Sequence, residues 1–316
     1  MPVNGKHALS SREEVPDMSY IQLVGLDLDG TLLDDDRRLR SRTANALRLA
    51  AESGMHIAVI SGRNYLAVPD EIRALPFIRY YVLCNGAAIY DAQDRRMIFC
   101  AEIPLDDTIC IFRALKEENA YYDCYISDGA WTEQRCYDQI DAFVPVASHR
   151  AFLKASRKPF PDLCAALLQR GKPIWKVQAI YKSTEIRDRE RERLQAAFPQ
   201  YSLCTAYTYN LEFNMPQANK GDGLIQLARM LSLKPSQVMA FGDGGNDITM
   251  LQKAGMGIAM GNAAPEAKAA AMYVGPANVD DGVAKVLEAL VAEPDRLKVL
   301  LHTAKPDETN HKGKEI

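Results

Sequence analysis

The sequence predicts an α/β protein with a doubly wound, Rossmann-like parallel sheet as its core and an inserted α+β domain. Short apolar runs end abruptly in turns rich in glycine and aspartate, and amphipathic helical stretches separate these runs. A long middle segment breaks that rhythm with alternating aromatic and polar residues.

The first run, Ile21 to Leu28, is rich in branched residues and passes into Asp29-Gly30, the pattern of a buried strand feeding a turn. Ser41 is placed as the cap of a helix carrying Ala46, Leu47, Leu49 and Ala50, which Gly54 ends. His56 to Ile60 reads as a second buried strand, Tyr80 to Leu83 as a third and Val238 to Phe241 as a fourth. A helix with Leu224, Leu227, Ala228 and Leu231 on one face precedes the fourth. Such strands joined by helical crossovers imply a parallel sheet covered on both sides.

Between 88 and 212 the pattern changes. Tyr121 to Ile126 and Tyr207 to Phe213 alternate as strands, and helical patterns surround Ile109 to Leu115 and Leu163 to Leu168. The core pattern resumes past Pro216 and finishes on a helix bearing Val283, Val286, Leu287 and Leu290, capped by Asp280 or Asp281. The expected organisation is a mobile extension 1–17, a core domain from 18–87 and 213–302, an inserted domain 88–212 and a polar tail 303–316.

Bulk properties narrow the function. With 316 residues, 47% of them apolar, the chain can bury a sizeable core. A net charge of -3 offers no broad cationic surface for nucleic acid or an anionic membrane. The first seventeen residues lack the apolar stretch of a secretory signal, and no later run approaches the ~20 residues that cross a bilayer. A soluble, cytoplasmic protein that handles a small molecule is expected. The seven cysteines are dispersed without a Cys-x-x-Cys pair and read as reduced, packing thiols. His56 and His149 have no matching partners and read as structural or surface residues.

Four polar clusters fall at predicted strand ends or helix starts. Asp27-Leu28-Asp29-Gly30-Thr31 sets two carboxylates two residues apart just past the first strand, on the same side of an extended chain. One can attack while the other transfers protons. Ser61-Gly62-Arg63 after the second strand supplies a hydroxyl and backbone N–H groups suited to phosphate oxygens. Lys220-Gly221 precedes a helix expected to begin near Gly223, where anions are already favoured. Gly242-Asp243-Gly244-Gly245-Asn246-Asp247 after the fourth strand adds two more carboxylates and an amide, oxygens of the kind magnesium prefers. Each cluster alone is an ordinary turn; their common position at one sheet edge makes the signal.

With these motifs in order, the sequence resembles the haloacid dehalogenase superfamily of phosphotransferases, and within it the Cof-type phosphatases with a large α/β (C2B-type) cap. Ile60-Ser61-Gly62-Arg63, Cys84-Asn85-Gly86-Ala87, Gly257 to Ala263 and Asp281-Gly282-Val283-Ala284 carry the narrower likeness, which spans about Met18 to Leu290. Asp222 departs from it, standing where the family has a residue such as Thr or Ala. The resemblance implies a phosphatase acting on a small phosphorylated metabolite, a sugar phosphate or a cofactor phosphate. It implies Asp27 as nucleophile and Asp29 as general acid and base. It assigns Mg2+ to the Asp27 carboxylate, the Asp29 backbone carbonyl and Asp243, with Asp247 holding water or metal from behind. Ser61, the Gly62 N–H, Lys220 and Asn246 would bind the non-bridging phosphate oxygens. A sugar phosphomutase of the same superfamily and a non-catalytic phosphometabolite-binding protein are the alternatives.

The remaining polar and aromatic residues read more plainly. Arg63 suits substrate contact and bracing of the fold equally. Asp34, Asp35 and Asp36 read as a solvated run; Trp131, Trp175 and the tyrosines of the insertion could line a sugar or ring pocket, but sheet packing is the commoner role of aromatic strand residues.

Overall fold

The computed structural model describes residues 21–127, 129–205, 207–292, 297 and 299–303; the expected extension 1–17 and, apart from Thr303, the expected tail lie outside the described residues. Along the chain, β1 (Leu23–Leu26), β2 (His56–Ile60) and β3 (Ile78–Leu83) pair in parallel, and β4 (Ala88–Asp91) and β5 (Arg96–Cys100) add an antiparallel edge. A second sheet contains β6 (Tyr121–Ile126), β7 (Gly129–Glu133), β8 (Arg157–Phe160), β9 (Lys176–Ile180), β10 (Ser202–Cys204) and β11 (Asn210–Asn214). The chain then returns to the first sheet with β12 (Val238–Gly242), β13 (Met256–Ala259), β14 (Tyr273–Val274) and β15 (His302–Thr303).

The first sheet runs β15-β14-β13-β12-β1-β2-β3-β4-β5. Its apolar runs are continuous because both faces are covered. Val24, Leu26, Ile57, Val59, Met239 and Phe241 pack into one cluster with the helices Ser41–Glu52 and Gly282–Ala292. Leu23, Ala58, Ile60, Val238 and Ala240 alternate with them and pack on the other side against Leu224, Leu227 and Ala228 of helix Lys220–Met230. From β1 the chain moves to β2 on one side, and it later returns to β12 on the other. The loops leaving the carboxyl ends of β1, β2 and β12 therefore diverge around a crevice, the usual ligand position in such a sheet.

Three local expectations change. Ser41 is the first helical residue, so its hydroxyl is past the capping position, which Arg40 occupies with extended backbone and no side-chain cap. Lys220, not Gly223, opens its helix, because Asn219 caps it by accepting from the Asp222 N–H at 2.9 Å. The strands at 88–91 and 96–100, placed with the insertion on sequence, belong to the first sheet, and residues 213–214 belong to the second. The cause is the turn after β3, where Cys84, Asn85 and Gly86 all have positive φ and send the chain straight back along the β3 edge.

The second sheet, ordered β10-β11-β9-β6-β7-β8, is largely antiparallel. One face is an apolar core in which Tyr122, Cys124, Val177, Ala179, Leu211 and Phe213 meet helices Leu105–Glu117, Leu163–Arg170 and Thr184–Ala197. The opposite face carries Asp123, Lys176, Gln178, Asn210 and Glu212, all buried. The expected strand at Tyr207 to Phe213 starts only at Asn210.

Candidate active site

Asp27 follows β1 directly, and its loop closes through the Leu32 N–H on the Asp27 carbonyl at 3.2 Å and the Leu33 N–H on the Leu28 carbonyl at 2.9 Å. Gly30 lies at φ +78°, and a Cβ there would collide with the Asp243 carboxylate. The glycine thus lets the loops after β1 and β12 touch. Thr31, which sequence reasoning did not single out, donates its hydroxyl to Asp243 at 3.1 Å.

The Asp27, Asp243 and Asp247 carboxylate oxygens lie within 4.8 Å of one another. The buried Lys220 ammonium donates to Asp27 Oδ1 at 2.6 Å and to Asp247 Oδ1 at 2.5 Å. Asp247 Oδ2 accepts from the Asp243 and Gly244 N–H groups, each at 2.9 Å, so this side chain shapes its own loop and anchors the lysine. Burial, with the neighbouring Asp247 and Asp243 charges, pushes the Asp27 carboxyl up to about 8 against the opposing pull of Lys220. Asp243 is raised by burial and by Asp247. Burial works against the Lys220 ammonium, yet Asp27 and Asp247 outweigh it and hold its pKa above the ordinary lysine range.

Three carboxylates around one ammonium leave excess negative charge in a buried crevice. The donors are oxygens, with no thiol or imidazole in the cluster, a set that fits a hard divalent cation such as Mg2+. Asp247 is the most engaged of the three, accepting from Lys220 and from two backbone N–H groups.

Ser61 is buried after β2, and its hydroxyl accepts from the Arg63 N–H at 3.2 Å. Gly62, Asn85 and Asn246 line a cavity of about 370 Å³ between the first-sheet loops and the polar face of the second sheet. Asn246 approaches Asn85 at 3.5 Å, and Asn85 donates to Glu212 at 3.4 Å. Asp29 stands apart from the carboxylate cluster. Arg63 grips it with Nε on Oδ2 at 3.1 Å and Nη2 on Oδ1 at 2.7 Å, while its Nη1 donates to the Ala67 carbonyl at 3.0 Å. Arg63 therefore braces a motif residue while also lining the cavity.

The far wall of the cavity was not legible as a site. Lys176 pairs with Glu212 at 2.8 Å and lies 4.2 Å from the Tyr125 ring centroid; Arg157 pairs with Asp123 at 2.8 Å and donates to Tyr125 Oη at 2.6 Å. Asp123, Tyr125, Lys176 and Glu212 alternate with apolar residues on β6, β9 and β11, and that period-two pattern was the available signal; Arg157, which opens β8, had none. Tyr125 and His149, read as packing or surface residues, line the cavity, whereas Tyr121 and Tyr122 do pack in the sheet core. Asp222 turns to Asn219 at 2.6 Å and to Lys253, away from the carboxylate cluster. All seven cysteines are free, and no helix among the described residues is long and apolar enough to cross a membrane.

A family model described as a haloacid dehalogenase-like hydrolase matches residues 24–287. The chain is 27% identical to the phosphatase YwpJ of Bacillus subtilis (strain 168), across 86% of this chain and 100% of that protein. It is 26% identical to the pyridoxal phosphate phosphatase YbhA of Escherichia coli (strain K12), across 84% of this chain and 97% of the relative. A solved haloacid dehalogenase-like hydrolase from Bacteroides thetaiotaomicron aligns with a TM-score of 0.73 at 26% identity, covering 85% of this chain and 99% of its own.

Proposed function

This chain belongs to the haloacid dehalogenase-like hydrolases as a Cof-type phosphatase, a phosphoric monoester hydrolase, and from that premise we propose that it works through a magnesium-dependent aspartyl-phosphate route on Asp27. The nine-stranded sheet is then the catalytic core and the six-stranded sheet a cap over it. The substrate is a small phosphorylated metabolite, a sugar or cofactor phosphate; one relative is named for pyridoxal phosphate. The free cysteines fit a cytoplasmic setting.

In the first step an Asp27 oxygen bonds to phosphorus and the ester P–O bond breaks, while Asp29 gives its proton to the departing alkoxide. In the second step Asp29 takes a proton from water, whose oxygen attacks phosphorus and frees Asp27. The Ser61 hydroxyl, the Gly62 N–H, Lys220 and Asn246 take the non-bridging oxygens as charge spreads over them. Held by Asp27, the Asp29 carbonyl and Asp243, with Asp247 behind, Mg2+ would offset the repulsion between carboxylate and phosphate. The observation that carries this reading is the carboxylate cluster at the switch point, bridged by a single buried lysine.

Release of phosphate from p-nitrophenyl phosphate is the direct test. It should be lost in chelator and return with Mg2+; full turnover after exhaustive chelation would remove the metal from the scheme. Asp29→Asn should slow hydrolysis of an alkyl phosphate by about a hundredfold. The loss should be smaller for p-nitrophenyl phosphate, whose leaving phenolate needs little protonation. Equal losses on both substrates would deny Asp29 the acid role.

A further inference from the structure

A second groove, of about 380 Å³, opens beside the cavity that Gly62, Arg63 and Asn246 line, and shares Asn64, Ala67 and Phe152 with it. The two spaces differ in chemistry. The cavity is walled on the second sheet by the Lys176–Glu212 pair, Gln178 and Arg157. The groove is lined by Leu66, Gly129, Ala130, Trp131, Phe152 and Lys158 among others.

Two large apolar side chains of this lining stay in solvent, Leu66 at 61% and Phe152 at 43% exposure. Scattered singly such residues need no explanation, but these two border one depression that adjoins a reaction site. Trp131 in its wall is mostly buried: it packs on Phe160 with centroids 4.4 Å apart, and the Lys158 ammonium lies 5.7 Å from the Trp131 centroid. A Cβ on Gly129 would meet nothing within 4 Å, so that side of the groove is open.

We propose that this groove is a second subsite, taking a flat apolar ring at the far end of the substrate's leaving group, with Phe152 as the wall shared between the two spaces. The proposal rests on the phosphatase reading. The cavity of about 370 Å³ meets the proposed phosphate site through Gly62 and Asn246 and has room for a short polar alcohol carried by that phosphate. A longer group can leave it past Phe152, where the shared lining leads into the groove. Leu66, Ala130, Trp131 and Phe152 outweigh the polar side chains of Asn64, Ser156 and Lys158 in the groove, which suits a ring better than a further run of hydroxyls.

The test uses the full-length protein with magnesium and two matched series, n-alkyl phosphates and ω-phenylalkyl phosphates of increasing linker length. At one linker length the phenyl compound should exceed its alkyl counterpart in kcat/KM by about tenfold, from burial of the ring. Shorter and longer linkers should lose the advantage. Leu66→Asp and Phe152→Ala should bring the ratio to near one; because it is taken within one preparation, loss of folded protein cancels. Absence of a length optimum, or an optimum that survives Leu66→Asp, overturns the subsite. So does a concentration-dependent dimer that Leu66→Asp dissociates, since a second copy would then be the occupant. If neither series nor p-nitrophenyl phosphate releases phosphate, the phosphatase reading fails instead.

Discussion

Asp27→Asn protein is expected to release no measurable phosphate, a loss of roughly 10⁴-fold or more, as for removal of other covalent nucleophiles. Asparagine keeps the shape of the side chain but cannot form the acyl-phosphate. The same substitution should not lower Tm at pH 7 in chelator. An acid whose pKa rises on folding, here from 3.8 to about 8, contributes stability that falls as pH climbs between those values. At pH 7 the unfolded carboxyl is ionised and must take up a proton on folding; the amide has no such proton to take up, and Lys220 keeps Asp247 as its partner. Near-normal turnover in this variant refutes the nucleophile assignment; inactivity with a collapsed Tm would mean that the substitution had unfolded the site.

Lys220→Met should have the second largest effect, this time on the fold as well as the reaction. The lysine is buried and serves two carboxyl groups, so its loss leaves Asp247 without its cationic partner and favours the neutral form of Asp27. Breaking a buried pair from one side costs about 3–5 kcal/mol, and the deficit should appear as a lowered Tm and urea midpoint. Added Mg2+ should recover part of it by supplying positive charge to the same oxygens. A variant that melts like the wild type in chelator would show that Lys220 is not the electrostatic keystone of the crevice.

Much of this site was legible because buried parallel strands demand unbroken apolar runs, which makes their ends easy to locate. Asp27, Ser61 and Asp243 follow β1, β2 and β12 for that reason, and the fold brings their loops together. Side-chain choices made across the fold were less legible. Arg63 suited two roles equally until its fork was seen on both Asp29 oxygens. Lys176, Gln178 and Glu212 alternate with apolar neighbours as any half-buried strand does; only the tertiary arrangement turns their side toward the first-sheet loops. The hairpin of β4 and β5 was misplaced because three consecutive positive-φ residues, and no change in composition, reverse the chain there.

The ion pairs Lys176–Glu212 and Arg157–Asp123 both close within the second sheet, without borrowing a charge from the first. A wall neutralised internally tolerates wetting and drying alike, because separating the two halves strands no ion. The long Asn85–Glu212 contact is a polar link that such a separation gives up. Parting the two sheets would therefore carry a small electrostatic cost at these two ion pairs.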